Sequence, residues 1–238
     1  MNNSAVSETP SAAAPTPTPT LQARLVAEFV GTAFLLAAVV GSGIMAQQLS
    51  DDVGLQLLEN AFATAGVLVA LILTFGPVSG AHFNPAVTIV DRLLGGIDSR
   101  TAAAYVVVQV AGAALGVIMA NLMFDLDPVT LSTRDRTSGH EFLAEAVATL
   151  GLLLVIFVMV RSGSVAHVAF AVGGYIGGAY WFTSSTSFAN PAVTLARTLS
   201  DTFAGIRPAS APLFILAQAV AIVVGFGLIR VLVPKATD

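Results

Sequence analysis

The chain has 238 residues, of which 55% are hydrophobic and only 10% charged, with a net charge of −4. A soluble domain carries about 25% charged residues, so this composition, with a mean hydropathy of +0.84, argues against an ordinary soluble enzyme and points to the bilayer. There is no basic face for nucleic acid, no Cys for disulfides or thiolate chemistry, and only three scattered His (82, 140 and 167), which do not make a metal centre.

Residues 1–22 read as a disordered tail. Prolines alternating with threonines from Pro15 to Pro19 remove helix donors and restrict their predecessors. Six apolar runs follow, at 25–46, 53–75, 102–124, 142–160, 165–182 and 212–233. At ~1.5 Å rise per residue each is of the order needed to cross a ~30 Å hydrocarbon core. The runs are too long for barrel strands of ~10 alternating residues. Two further apolar segments, 84–94 and 190–199, reach only about half that depth. Each opens with Asn-Pro-Ala-Val-Thr. Asn is a good N-cap and Pro suits the first helical position, so each reads as a short helix starting abruptly at its Asn. Both follow Gly/Ser/Thr-rich approaches, whose irregular backbone is tolerated at membrane depth only inside protein or along a wet cavity.

The chain repeats itself. Ala27-Glu28 opens the first run and Ala144-Glu145 the fourth. The Asn-Pro-Ala-Val-Thr box occurs at Asn84 and Asn190, and Gln109 in the third run answers Gln218 in the sixth. Three markers in one order make a duplication of about 110 residues, and three crossings per copy turn the second copy upside down. The organisation expected is a tail at 1–22, a first repeat at 23–124, a connecting loop at 125–139, a second repeat at 140–233 and a short tail at 234–238. The two half-helices then point N-terminus to N-terminus near the midplane. Each terminus carries roughly half a positive charge, and Asn84 and Asn190 add side-chain N–H groups. A cation or hydronium meets a barrier there, while a neutral hydroxylated molecule meets donors. No nucleophile–base pair accompanies them, so this is transport chemistry, not catalysis.

The run Ser79-Gly80-Ala81-His82-Phe83-Asn84-Pro85-Ala86-Val87-Thr88, with Asn190-Pro191-Ala192, resembles the aquaporin and aquaglyceroporin (major intrinsic protein) family over about residues 22–234. The resemblance implies an all-α membrane protein of six transmembrane helices and two re-entrant half-helices in an inverted 3+3 repeat. It also implies a homotetramer with one pore per subunit, cytoplasmic termini and passive flow; no cofactor or metal is expected. By the same resemblance Glu28 and Glu145 accept hydrogen bonds from the re-entrant loops, and His82 beside the first box serves in gating or scaffolding. The alternative for the two glutamates is a proton relay.

One position departs from the family. Most members place Arg after the second Asn-Pro-Ala; here it is Val193. Counting from the boxes as the family does puts the outer selectivity filter at Thr64, Gly178, Ser187 and Val193, all small, so the passage expected there is wide and uncharged. Arg197 lies one turn beyond Val193, on the same helix face, and its guanidinium leans back toward the filter. It either restores charge at the outer mouth, or pairs with Asp201, or snorkels to water. Gly112, Gly116, Gly173, Gly174, Gly177 and Gly178 read as small packing faces, and Tyr180 and Trp181 as interfacial belt residues, with lining of the pore as the alternative. Six of ten basic residues (Arg24, Arg92, Arg100, Arg161, Arg230 and Lys235) fall on the side of the termini, which agrees with cytoplasmic ends.

The function expected is a passive, multi-pass channel of the inner (plasma) membrane. Its solutes would be small and neutral: glycerol-like polyols or uncharged metalloid hydroxides such as arsenite, with water. A proton-coupled transporter using Glu28 and Glu145 is the alternative.

Overall fold

The computed structural model describes residues 18–234. The expectation of a disordered Pro/Thr-rich tail falls mostly on residues 1–17, outside the described residues. At its C-terminal edge the expectation is corrected, because the first helix already begins at Leu21, capped by the Thr20 hydroxyl on the Ala23 amide.

Eight α-helices are described: α1 (Leu21–Leu49), α2 (Val53–Ser79), α3 (Pro85–Leu94), α4 (Ser99–Met123), α5 (Gly139–Arg161), α6 (Val168–Phe182), α7 (Pro191–Ala196) and α8 (Ala211–Leu232). Six apolar spans are long enough to cross a membrane; α3 and α7 are the two short helices. Side-chain caps, not hydropathy, set where several of the spans begin. Asp52 caps α2, Asp98 caps α4, and Ser138 with Glu141 forms a capping box on α5. The largest shortfall among the spans is in α6, whose first turn, Val165–His167, is 3-10; α4 and α8 each end one residue early. The second half-helix is also shorter than its apolar run, ending at Ala196 with a 3-10 turn over Arg197–Leu199.

The packing repeats with the sequence. Helix α1 lies along α4 and α2; in the second copy α5 lies along α8 and α6. Helices α2 and α6 join the two copies, and each half-helix touches both α4 and α8. The α1–α4 crossing is close. A Cβ at Gly112 would lie 2.3 Å from the Phe29 carbonyl oxygen, and one at Gly116 2.2 Å from that of Ala33. Backbone cannot yield as a flexible side chain can, so glycine is required at both positions. By the direction of the spans, both described chain ends lie on one face of the bundle, here called the terminal face. Helix α3 returns to that face from the middle, and α7 runs to the far face.

Candidate functional site

The two boxes meet. Asn84 caps α3 by accepting from the Ala86 amide at 2.8 Å, and Asn190 caps α7 by accepting from the Ala192 amide at 3.0 Å. Pro85 and Pro191 take the first helical position, and Ala86 and Ala192 are fully buried behind them. Each Asn then reaches across. Asn84 Nδ2 donates to the Ala189 carbonyl at 2.7 Å, and Asn190 Nδ2 donates to the Phe83 carbonyl at 2.8 Å. The sequence led us to expect the amide donors to face the passage. In the structure one N–H of each is spent on the opposite loop, leaving one available.

The loops leading to the boxes are held in an uncommon shape. Ala81 and Phe83 before Asn84, and Ser187 and Ala189 before Asn190, all have φ of 48–50°. Left-handed backbone costs an L-residue roughly 1–2 kcal/mol, and the buried glutamates offset it. Glu28 accepts from the His82 amide (3.0 Å), the Phe83 amide (2.7 Å), the Ser79 hydroxyl (2.6 Å) and Gln109 Nε2 (2.8 Å). Glu145 accepts from the Phe188 amide (3.1 Å), the Ala189 amide and Gln218 Nε2 (2.8 Å). Both glutamates are fully buried and neither lines the cavity. Each glutamine amide also donates to a half-helix threonine, Gln109 to Thr88 and Gln218 to Thr194.

A cavity of about 640 Å³ runs from Gly96, Ile97, Val165 and Ala166 on the terminal face, past Asn84 and Asn190, to Arg197 near the far face. Its wall is largely aliphatic, from α1, α2, α5 and α6. His82 lies at this wall, with Nδ1 3.1 Å from the Thr88 hydroxyl and its ring edge-on to Tyr105.

At the far end, Thr64, Ser187 and Val193 line the cavity, as the sequence count has them. Gly178 does not. It is exposed, with nothing within 4 Å of where its Cβ would stand. Two residues along a helix turn the side chain by about 200°. Tyr180 therefore faces inward instead, 3% exposed, with its hydroxyl 3.2 Å from that of Thr64. Tyr180 is thus a cavity residue, not a belt residue, whereas its neighbour Trp181 is 52% exposed.

The expectation of an uncharged passage at this level is also corrected. Arg197 is 2% exposed; its Nε donates to the Ala204 carbonyl, and its guanidinium stacks on Phe188, 3.5 Å from the ring centroid. It does not pair with Asp201, whose carboxylate instead takes the Thr133 amide at 2.8 Å and the Thr133 hydroxyl. Ser187 Oγ is buried at the cavity with no hydrogen-bond partner among the described residues.

Sequence reasoning missed Arg136. From the connecting loop it passes behind Phe188, 5.1 Å from the ring centroid, and donates to the Ser185 and Gly205 carbonyls. No local pattern marks it, because its partners lie 49 and 69 residues away. Beside it, the Thr137 hydroxyl, then that of Ser210, hold the Asp135 carboxyl below the usual carboxylate range.

Six spans, two opposed half-helices and a side-chain-lined passage between them define a channel-type membrane protein. The Major intrinsic protein family model matches residues 16–164, and the chain belongs to that family, whose members are channels and not enzymes. It is 50% identical over 216 residues to Aquaglyceroporin AqpS of Rhizobium meliloti (strain 1021), covering 91% of this chain and 92% of that one. It is 31% identical over 172 residues to the Glycerol uptake facilitator protein of Pseudomonas aeruginosa, covering 62% and 61%. The aquaglyceroporin of Plasmodium falciparum shares the fold, with a TM-score of 0.66 at 20% identity over 91% of this chain and 97% of that one.

Proposed function

We propose that the protein equilibrates small neutral solutes across the plasma membrane: glycerol-like polyols, uncharged metalloid hydroxides such as arsenite, and water. The observation that carries the reading is the cavity that passes both Asn side chains and reaches Arg197. The names of the relatives, aquaglyceroporin and glycerol uptake facilitator, agree with it.

In this reading the repeats 23–124 and 140–233, linked by 125–139, each contribute one half-helix. The free N–H groups of Asn84 and Asn190 greet solute hydroxyls in passing. The N-termini of α3 and α7, with their proline and alanine residues packed behind, set a positive potential that turns hydronium away. Glu28, Glu145 and His82 hold the loops. Thr64, Ser187 and Val193 form the far filter together with Tyr180, and Ser187 Oγ, lacking a partner among the described residues, trades hydrogen bonds with solute. Arg197 supplies there the charge that Val193 does not. The termini are cytoplasmic and the assembly is a homotetramer.

Stopped-flow light scattering of proteoliposomes with water, glycerol, urea and arsenite tests the reading. Glycerol and arsenite are expected to equilibrate without an imposed gradient of protons, and Arg197→Ala is expected to alter selectivity. Permeability to water alone, or accumulation driven by a pH gradient, overturns it.

A further inference from the structure

Arg197 sits at the far end of the cavity and the α3 N-terminus near its middle, and both are positive. Such a passage opposes cations both by charge and by its aliphatic wall, whereas anions face only the cost of shedding water, which the positive ends lower. Among the described residues lining the cavity the only carboxylate is Asp91, two turns along α3 from Asn84 on the terminal side.

Its place is built. His82 Nε2 lies 3.7 Å from Asp91 Oδ2. The Thr88 hydroxyl accepts from Gln109 Nε2 at 3.0 Å and lies 3.1 Å from His82 Nδ1. In the tautomer whose Nδ1 accepts from that hydroxyl, the imidazole turns its Nε2–H toward Asp91 across 3.7 Å. In the second repeat the position matching His82 is Phe188, which has no ring nitrogen, and the Thr194 hydroxyl bonds back to the Asn190 carbonyl. The chain after α3 makes room as well: a Cβ on Gly96 would fall 2.1 Å from Asp91 Oδ1. Arg24 is turned to the Tyr105 hydroxyl at 2.8 Å and does not line the cavity.

We propose that Asp91, oriented by His82 and admitted by Gly96, is the anion barrier of the pore, opposite in sign and position to Arg197. The inference rests on the channel reading above, and it makes the passage bipolar: cations fail at one end, anions at the other, and neutral solutes pass both.

The test uses the full chain in proteoliposomes with valinomycin, so that potassium balances the charge. Potassium nitrate entry is read against glycerol entry in the same vesicles. Wild type is expected to be nitrate-tight. Asp91→Asn is expected to raise the nitrate-to-glycerol ratio by roughly tenfold or more, the effect of removing one charge from a wet passage. Gly96→Ala, which displaces the carboxylate, is expected to raise it in the same sense, and Asp91→Glu to keep it low. A nitrate-permeable wild type overturns the proposal. So does an unchanged ratio in both Asp91→Asn and Gly96→Ala, or a rise in Asp91→Glu equal to that in Asp91→Asn. Failure of wild type to pass any neutral solute defeats the channel reading itself, and this proposal with it, and is told apart by the glycerol trace.

Discussion

Replacing Glu145 by Gln keeps the shape of the side chain and removes one of its two acceptor oxygens. In the native protein those oxygens receive the Phe188 amide, the Ala189 amide and Gln218 Nε2. With Gln, one of these buried donors faces an NH2 group, and the others bond to a neutral oxygen. Hydrogen bonds to a charged acceptor contribute about 1.5–3 kcal/mol each. Losing one and weakening the rest is expected to cost about 2–4 kcal/mol. The loop then has less to hold Ser187 and Ala189 at positive φ, so it relaxes toward ordinary backbone and shifts Ser187 and Phe188 at the cavity end. Unfolding of the purified protein in detergent measures the first effect, and glycerol flux in liposomes the second. Glu145→Ala, which leaves both amides without an acceptor, is expected to lose more. A loss under about 0.5 kcal/mol with unchanged flux would refute the idea that this carboxylate holds the loop. Flux that becomes insensitive to a proton gradient only in the variant would instead favour a relay.

Gly112→Val drives a branched side chain into the Phe29 carbonyl across the α1–α4 crossing. Overpacking against backbone costs 1–3 kcal/mol or more, so a lower folded yield by size-exclusion chromatography and a lower melting temperature are expected, and a wild-type profile would contradict the crossing. Tyr180→Ala removes the ring at the far end of the cavity and is expected to raise entry of four- to six-carbon polyols relative to glycerol. Gly178→Val, on the outward face, should leave that ratio alone; the opposite result in this pair would restore Gly178 to the filter.

What the sequence made legible was whatever recurs. The two boxes, the paired glutamates and the paired glutamines each appear twice, and each pair occupies equivalent positions in three dimensions. Span number followed from length and hydropathy. The far end of the cavity was harder to read, for a geometric reason. Counting back from Asn190 crosses a loop of irregular backbone, Thr183–Ala189, before entering α6, and an error of two positions there turns the chosen residue to the other side of the helix. The apolar spacing of Val172, Ile176 and Tyr180 on α6 was the better guide. Arg197 and Asp201 are spaced for an ion pair on a regular helix, but α7 ends at Ala196 and tightens to 3-10 geometry, and Asp201 is drawn away by Thr133. Arg136 depends wholly on distant partners, and residue order alone carries no trace of such a contact.

The crossed amides of Asn84 and Asn190 have a mechanical corollary. A carrier that exposes its cargo first to one compartment and then to the other must pry its two halves apart at the middle. Here that motion would break two buried bonds, each pinning one half to the backbone of the other. The clasp therefore favours a fixed conduit, whose throughput follows concentration alone and runs equally well in either direction.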